Sequence, residues 1–93
     1  MIVLSAHYDS TPLSQGVYDN MSGSVGLLGI ADYFRQHPHH YSLRFLWCGS
    51  EERGLLGSKA YVAAHEEDLK KTVLNINLDM IGCIMVSYCL LYF

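Results

Sequence analysis

Residues 43–65 read LRFLWCGSEERGLLGSKAYVAAH, and this stretch decides the fold. Leu43 to Cys48 is a short, largely apolar run without helical period, which is typical of a buried strand. Glu51 and Glu52 stand side by side just after it. A glycine-punctuated turn then leads to a helix that Ser58 can cap and that ends near His65. The stretch predicts a strand, an acidic turn and a crossover helix.

A second apolar run precedes this unit at the start of the chain. Ile2 to Ala6 suits a buried strand of a parallel sheet, and His7 and Asp9 follow at its carboxyl end. From Tyr8 to Asn20 the composition shifts to Ser, Thr, Pro, Gly and Asn, which favour turns. We therefore expect a loop that carries Asp19.

Between these two strands the sequence predicts a helix from a cap at Ser22 to about Gln36. Its apolar positions, Val25 and Leu28 among them, fall near one face at three- and four-residue steps. Glycines recur in it at positions 23, 26 and 29 and weaken the helix intrinsically, so close packing on the sheet must compensate.

A third strand is predicted on the carboxyl side of the 43–65 unit. The polar stretch from Glu66 to Lys71 indicates a solvated turn or a short helix, and Val73 to Leu78 then alternates apolar and polar residues up to Asp79. Strand, helix, strand, helix, strand in this order predicts an α/β fold with a mostly parallel sheet. Ligands of such sheets gather beyond the carboxyl ends of the strands, where His7, Glu51, Glu52 and Asp79 fall.

Composition excludes several classes of protein. Of the 93 residues, 51% are hydrophobic and 16% charged, with a formal net charge of −3, which predicts a globular domain without a nucleic-acid-binding surface. The odd number of cysteines, three, shows no C-x-x-C spacing, so neither a disulfide framework nor a zinc ribbon follows. No charged segment precedes the first apolar run, and we expect no signal peptide in this chain.

The residues at the strand ends have the chemistry of a hydrolytic metal site. Carboxylates and an imidazole can bind a cation, and the imidazole of His7 favours zinc over magnesium. Asp9, two residues on, could orient that imidazole as a supporting carboxylate. In the adjacent pair Glu51–Glu52, one carboxylate can bind a cation while its neighbour moves a proton. A single Asp is more often a surface charge, and the clustered acids Glu66, Glu67 and Asp68 are predicted to be solvated.

Four blocks resemble the di-zinc aminopeptidases of metallopeptidase family twenty-eight. They are AHYDS at 6–10, YDNMSG at 18–23, GSEERGLLGS at 49–58 and NLDMIG at 77–82, in the order and with gaps like those of the family. The resemblance implies a three-layer α/β/α fold of the zinc exopeptidase type. It also implies that His7 and Asp79 bind one zinc, that Glu52 binds the other, that Asp19 bridges them, that Asp9 supports the histidine, and that Glu51 is the general base.

Two departures from the family lead to expectations about this chain. The family takes a further histidine for the second zinc from beyond the Asp79 position, and the sequence ends at Phe93 without one. From Met80 to Phe93 only Gly82 and Ser87 lie outside the apolar set. We therefore expect residues 1–82 to be the N-terminal portion of a catalytic domain and residues 83–93 to be an apolar tail of uncertain origin, for which an extra strand, a truncation and a shifted reading frame stay open. Two zinc ions are expected in a complete domain, and one or none in this chain.

The resemblance predicts a peptide with a free N-terminus as the substrate. Nucleic acid is not an expected partner, and the 14-residue apolar run from Met80 to Phe93 is shorter than the roughly 20 residues of a membrane span. Missing strands would leave open sheet edges, through which the chain could associate with itself. Two alternatives stay open: an inactive remnant that acts as an interaction module, and an enzyme like glutaminyl cyclase with one zinc.

Overall fold

A computed structural model describes residues 1–82 of the chain, as three strands, three α-helices and one π-helical turn. The strands are β1 (Ile2–His7), β2 (Leu43–Cys48) and β3 (Leu74–Asn77), and the α-helices are α1 (Ser22–Gln36), α2 (Leu56–Ala64) and α3 (Glu66–Leu69). The π-helical turn (Val17–Met21) leads directly into α1. All three predicted strands and both long predicted helices are confirmed.

The three strands form a parallel sheet in the order β2-β1-β3. β1 lies in the centre, with Ile2 opposite Leu43 of β2 and opposite Leu74 of β3. Because all three strands run in the same direction, their carboxyl ends meet at one edge of the sheet, and the chain after each strand starts from that edge. The predicted α/β class with a parallel sheet is confirmed.

The core lies between α1 and one face of the sheet. Leu4 and Ala6 of β1 pack with the fully buried Leu27 of α1 and with Leu78, and partly buried apolar side chains surround them: Ile2, Ile30, Leu43, Phe45, Trp47 and Ile81. Side chains alternate between the faces of a strand, so the even-numbered residues of β1 and the odd-numbered residues of β2 point toward α1.

The predicted apolar face of α1 is wrong at Val25 and Leu28. Val25 and Leu28 are exposed, while Gly23, Ser24 and Leu27 are buried. A Cβ atom at Gly23 would lie 2.3 Å from the carbonyl oxygen of Leu78, so the helix approaches the chain after β3 through a position that only glycine can occupy. This close approach turns the helix away from the face that apolar spacing favours.

The other face of the sheet carries α2 and α3. Arg44 points away from α1, and its guanidinium donates to the Tyr61 hydroxyl of α2 and to the Asp68 carboxylate of α3, each at 2.7 Å. The fold therefore has helices on both faces of the sheet, as the resemblance implied. The expectation that Asp68 is merely solvated is wrong, because this half-buried carboxylate pairs with Arg44.

Both predicted serine caps are also wrong. The Ser22 hydroxyl donates to the carbonyl of Tyr18 in the preceding turn, and the side chain of Asn20 accepts a hydrogen bond from the Gly23 N–H instead. Ser58 lies inside α2, which begins at Leu56. Asn20 satisfies one of the free N–H groups at the start of α1 from outside the helix, and that leaves the Ser22 hydroxyl free for the turn.

None of the helices in the described part of the chain has the length and hydrophobicity of a membrane span. The tail at 83–93 lies outside the described residues, and its origin stays a hypothesis.

Candidate metal centre

His7 ends the central strand and lies at the middle of the acidic cluster. Its side chain is 3% exposed. The buried Ser24 of α1 donates its hydroxyl to the His7 carbonyl at 2.8 Å, which fixes the end of β1 against the helix. The ring nitrogen Nε2 faces carboxylate oxygens at 3.2 Å (Asp19), 3.7 Å (Asp79) and 4.0 Å (Glu51).

Two groups of side chains at this edge have metal-ligand chemistry, and His7 belongs to both. One group contains His7, Asp19 and Asp79, and the other contains His7, Glu51 and Glu52. In each group the candidate ligand atoms all lie within 4.8 Å of one another. Residues from four separate segments of the chain thus meet at the predicted edge of the sheet.

Asp9 supports the two glutamates. Its carboxylate oxygens accept hydrogen bonds from the backbone N–H of Glu51 at 3.0 Å and of Glu52 at 3.2 Å. Burial by itself raises the pKa of the Asp9 carboxyl, but these N–H donors outweigh it and hold the pKa below its usual range. Asp9 therefore remains a carboxylate that fixes the turn after β2.

Asp9 also contacts the imidazole, although chiefly through its backbone. The Nδ1 atom of His7 lies 3.1 Å from the Asp9 carbonyl oxygen and 3.5 Å from the nearer carboxylate oxygen. A carbonyl oxygen can only accept a hydrogen bond, so Nδ1 carries the proton. In the neutral ring the lone pair of Nε2 then points toward the acids.

Asp19 and Asp79 approach His7 from two different loops. Asp19 lies in the π-helical turn but has non-helical angles, φ −107° and ψ 95°, and the peptide bond that joins it to Asn20 is cis. Asp79 follows β3. The Asn20 side chain hydrogen-bonds to the backbone on both sides of Asp79, to the Leu78 carbonyl and the Met80 N–H.

The sequence marks Asn20 only as the end of a loop and as part of the YDNMSG block, and predicts no role for its side chain. For its contact with α1 the sequence did carry a signal, an Asn three residues before Gly23. Short polar side chains commonly accept hydrogen bonds from backbone N–H groups at helix starts. Its two bonds to the chain around Asp79, some 60 residues away, had no signal in the sequence.

The electrostatics of the cluster favour a cation at its centre. Burial lowers the pKa of the His7 ring, but the negative charges of Asp79 and Glu51 outweigh burial and raise it. The pKa of Glu52 is raised by desolvation and then by the neighbouring carboxylates of Asp19 and Glu51. A proton or a metal ion between these groups relieves both the repulsion among the acids and the unpaired lone pair of Nε2.

The donor set fits zinc. Tetrahedral zinc with nitrogen and oxygen ligands at about 2.0–2.2 Å separates neighbouring ligand atoms by roughly 3.4 Å. His7 Nε2 lies 3.2 Å from Asp19 and 3.7 Å from Asp79, on either side of that separation. The proton on Nδ1, held by a backbone carbonyl, is the supporting contact usual for a histidine ligand.

The remaining histidines stay apart from this cluster. The Nδ1 atoms of His37, His39 and His65 lie 2.7–2.9 Å from backbone carbonyl oxygens of nearby residues. The thiol of Cys48 lies at the end of β2, and burial raises its pKa, which keeps it protonated.

Comparisons with known proteins point to one family. The model of peptidase family M28 matches residues 1–89. Aminopeptidase YwaD of Bacillus subtilis is 43% identical over 83 residues, which cover 88% of this chain and 18% of the relative. Leucine aminopeptidase 2 of Trichophyton rubrum is 41% identical over 83 residues, 88% of this chain and 17% of the relative.

A third relative, the probable lipoprotein aminopeptidase LpqL of Mycobacterium tuberculosis, is 39% identical over 84 residues, 88% of this chain and 17% of its own length. No solved structure matches the chain significantly. The chain thus spans less than a fifth of the length of the curated relatives that it matches. The family match over residues 1–89 and the identities near 40% show that this chain belongs to peptidase family M28.

Proposed function

We propose that this chain supplies most of the metal centre of a zinc-dependent aminopeptidase. In this proposal His7 and Asp79 bind one zinc, Glu52 binds a second, and Asp19 is shared between them. Glu51 is the general base. The names of the relatives and the contacts of the acidic cluster support this assignment.

The position of His7 Nε2 carries the proposal. Its lone pair faces Asp19 and Asp79, and these groups, when ionised, can only accept hydrogen bonds. A buried acceptor that meets only other acceptors is unfavourable without a cation between them. A proton or a metal ion on Nε2 relieves this contact, so the arrangement suits a metal ligand.

Glu51 and Glu52 differ in a way that supports different roles. Desolvation and then the negative charge of Asp19 raise the pKa of Glu52, so Glu52 lies near the residue proposed to be shared. Glu51 reaches no closer than 4.0 Å to His7 Nε2, farther than Asp19 and Asp79, which suits a group that acts beside the metal rather than as its ligand. From there its carboxylate can take a proton from the attacking water and return it to the departing amine.

Bound zinc would supply Lewis acidity, which polarises the peptide carbonyl and makes water more acidic. The chain's own residues orient the reaction. Asp9 keeps the Glu51–Glu52 turn in place through two backbone hydrogen bonds, and the partly exposed carboxylates of Asp19 and Asp79 leave the site accessible to a peptide. Among residues 1–82, the proposed second site has only Asp19 and Glu52 as ligands.

Metal analysis of the purified chain tests the first half of the proposal. Of the one or no zinc expected from the sequence, the contacts of His7 favour one tightly bound zinc per chain, measured by elemental analysis after dialysis against a weak chelator. A chain that binds no zinc under these conditions contradicts the proposed centre.

Turnover is best tested in a chimera in which residues 1–82 replace the matching stretch of Aminopeptidase YwaD. Hydrolysis of an aminoacyl anilide by this chimera supports the aminopeptidase, whereas cyclisation of an N-terminal glutamine without anilide hydrolysis would favour the cyclase.

Two matched variants of the chimera separate the roles of the adjacent glutamates. Glu51→Gln should reduce turnover at least about 100-fold with unchanged zinc content, because general-base catalysis contributes on that scale. Glu52→Gln should lose zinc as well as turnover. Glu67→Gln is the control, because that exposed carboxylate pairs with Lys70 and lies outside the cluster. Unchanged turnover in Glu51→Gln would refute its role as base.

A further inference from the structure

Asn20 is buried as deeply as any polar side chain of residues 1–82, with 1% of its surface exposed. Its amide makes three hydrogen bonds to the backbone. Nδ2 donates to the Leu78 carbonyl at 2.9 Å, and Oδ1 accepts from the N–H of Met80 at 3.0 Å and of Gly23 at 3.1 Å. Nearly all of the hydrogen-bonding capacity of the side chain is used.

These three bonds join the segments that carry two of the proposed ligands. Leu78 and Met80 flank Asp79, so the amide holds the backbone on both sides of that ligand. Asn20 itself directly follows Asp19, and its bond to Gly23 fixes this segment to the start of α1. The carboxylates of Asp19 and Asp79 thereby reach the same nitrogen of His7.

These three hydrogen bonds require one donor and one acceptor in the same short side chain. Asp could accept from Met80 and Gly23 but, when ionised, could not donate to Leu78, and an aliphatic residue could do neither. The space is also confined, since a Cβ at Gly23 would lie 2.5 Å from Oδ1 of Asn20. An amide of this length satisfies all three backbone groups at once.

We propose that Asn20 is a positioning residue for the metal centre, which acts by fixing the Asp79 segment against Asp19. This inference rests on the proposed function, because positioning matters here only if Asp79 binds a metal. All three hydrogen bonds of its side chain go to backbone groups, so Asn20 is not itself proposed as a ligand. Its effect on metal binding passes through Asp79, and that route distinguishes positioning from a general contribution to stability.

A mutant cycle on the 93-residue chain tests this route. Zinc affinity is measured by chelator competition for the wild type, Asn20→Ala, Asp79→Ala and the double variant. We expect Asn20→Ala to weaken zinc binding about 10–100-fold, as supporting contacts of metal ligands do. In the Asp79→Ala background the same change should have less than about a twofold effect, because coupled residues are not additive. Equal effects in both backgrounds, or wild-type affinity in Asn20→Ala, would overturn the proposal.

Two further variants separate positioning from stability. Val3→Ala removes buried apolar surface far from the site and should lower stability without changing zinc affinity. Asn20→Asp, which keeps the acceptor for Met80 and Gly23, is the second test if Asn20→Ala does not fold. It should bind zinc more weakly than the wild type despite its added negative charge, and equal or tighter binding would count against the proposal.

Amide hydrogen exchange of the metal-free chain gives a readout that is independent of zinc. Asn20→Ala should lose protection at the N–H groups of Met80 and Gly23, while the central strand β1 keeps its protection. If the wild type binds no zinc, the proposed function fails, and exchange still decides whether Asn20 holds the Asp79 segment. Unchanged hydrogen exchange at the Met80 N–H in Asn20→Ala would show that Asn20 does not fix the Asp79 segment.

Discussion

The two ring nitrogens of His7 have opposite roles. Nδ1 donates to a backbone carbonyl of its own loop, and Nε2 faces the acids of two other segments. A metal-binding imidazole needs this division, because one nitrogen must keep its proton while the other offers a lone pair. The sequence could predict that His7 lies near acids, since it follows a strand, but not which nitrogen they would meet.

Replacing Asp9 tests how far the turn that carries Glu51 and Glu52 depends on the Asp9 carboxylate. Asp9→Ala leaves the N–H groups of Glu51 and Glu52 without their acceptor, so the turn can move away from His7. We expect zinc affinity, measured by chelator competition, to fall about 10–100-fold. Asp32→Asn is the control, because Asp32 is exposed on α1 and pairs with Arg35. An Asp9→Ala chain with wild-type affinity would show that the turn is fixed by other contacts.

The placement of a residue at the sheet edge could be predicted where the residue follows a strand, but a contact with a distant part of the chain could not. His7, Glu51, Glu52 and Asp79 meet because the parallel strands before them end at one edge. Asn20 and Asp68 escaped prediction, since their partners at Leu78 and Arg44 are far away along the chain.

At the scale of elements, α1 is placed by its small residues rather than by its apolar stripe. Gly23 contacts the chain after β3, whereas a Cβ at Gly29 would meet nothing within 4 Å. The pattern of apolar spacing selected Val25 and Leu28, which are exposed. Apolar periodicity cannot report such a close backbone approach, so this part of the fold was beyond prediction from sequence.

The two glycines give a matched pair of variants in one helix. Gly23→Ala should lower the free energy of unfolding by about 1–3 kcal/mol, because the added methyl group meets backbone that cannot move aside. Gly29→Ala should raise it by roughly 0.5–1 kcal/mol, since alanine favours the helix and the site is open. Urea denaturation monitored by circular dichroism measures both. Equal changes in the two variants would contradict this placement of α1.

Helices α2 and α3, on the face of the sheet opposite α1, depend on the ion pair between Arg44 and Asp68. The guanidinium of Arg44 holds the pKa of the Asp68 carboxyl below its usual value of 3.8. A carboxyl with a lowered folded-state pKa stabilises the fold above its unfolded pKa, and this stabilisation is lost as pH falls through the folded pKa. Asp68→Asn should therefore have a lower urea midpoint than the wild type at pH 7.

The difference between the two chains should shrink below about pH 4, where the wild-type carboxyl also becomes protonated. Glu67→Gln removes a neighbouring acid whose pair with Lys70 is highly exposed, and we expect no measurable change from it. A pH-independent gap between Asp68→Asn and the wild type would instead assign the effect to packing.

For the whole molecule, the described part of the chain leaves both sides of the sheet without a neighbouring strand. β1 is the only strand with a partner on each side, so β2 and β3 are edge strands within residues 1–82. Large apolar side chains are exposed near these edges, including Ile76 and Val73. Unpaired strand edges with apolar side chains are templates for pairing with another chain.

We therefore predict that the 93-residue chain associates with itself through a strand edge, in a concentration-dependent manner seen by size-exclusion chromatography with light scattering. Ile76→Lys places a charge on the edge strand β3 and should shift the chain toward the monomer. Val62→Lys is the matched control, because Val62 is an exposed apolar residue of α2 and lies outside the sheet. If both substitutions shift the chain toward the monomer equally, self-association depends on exposed apolar surface in general and not on the strand edge. If the unmodified chain is monomeric at all concentrations, its edges are protected and the prediction is wrong.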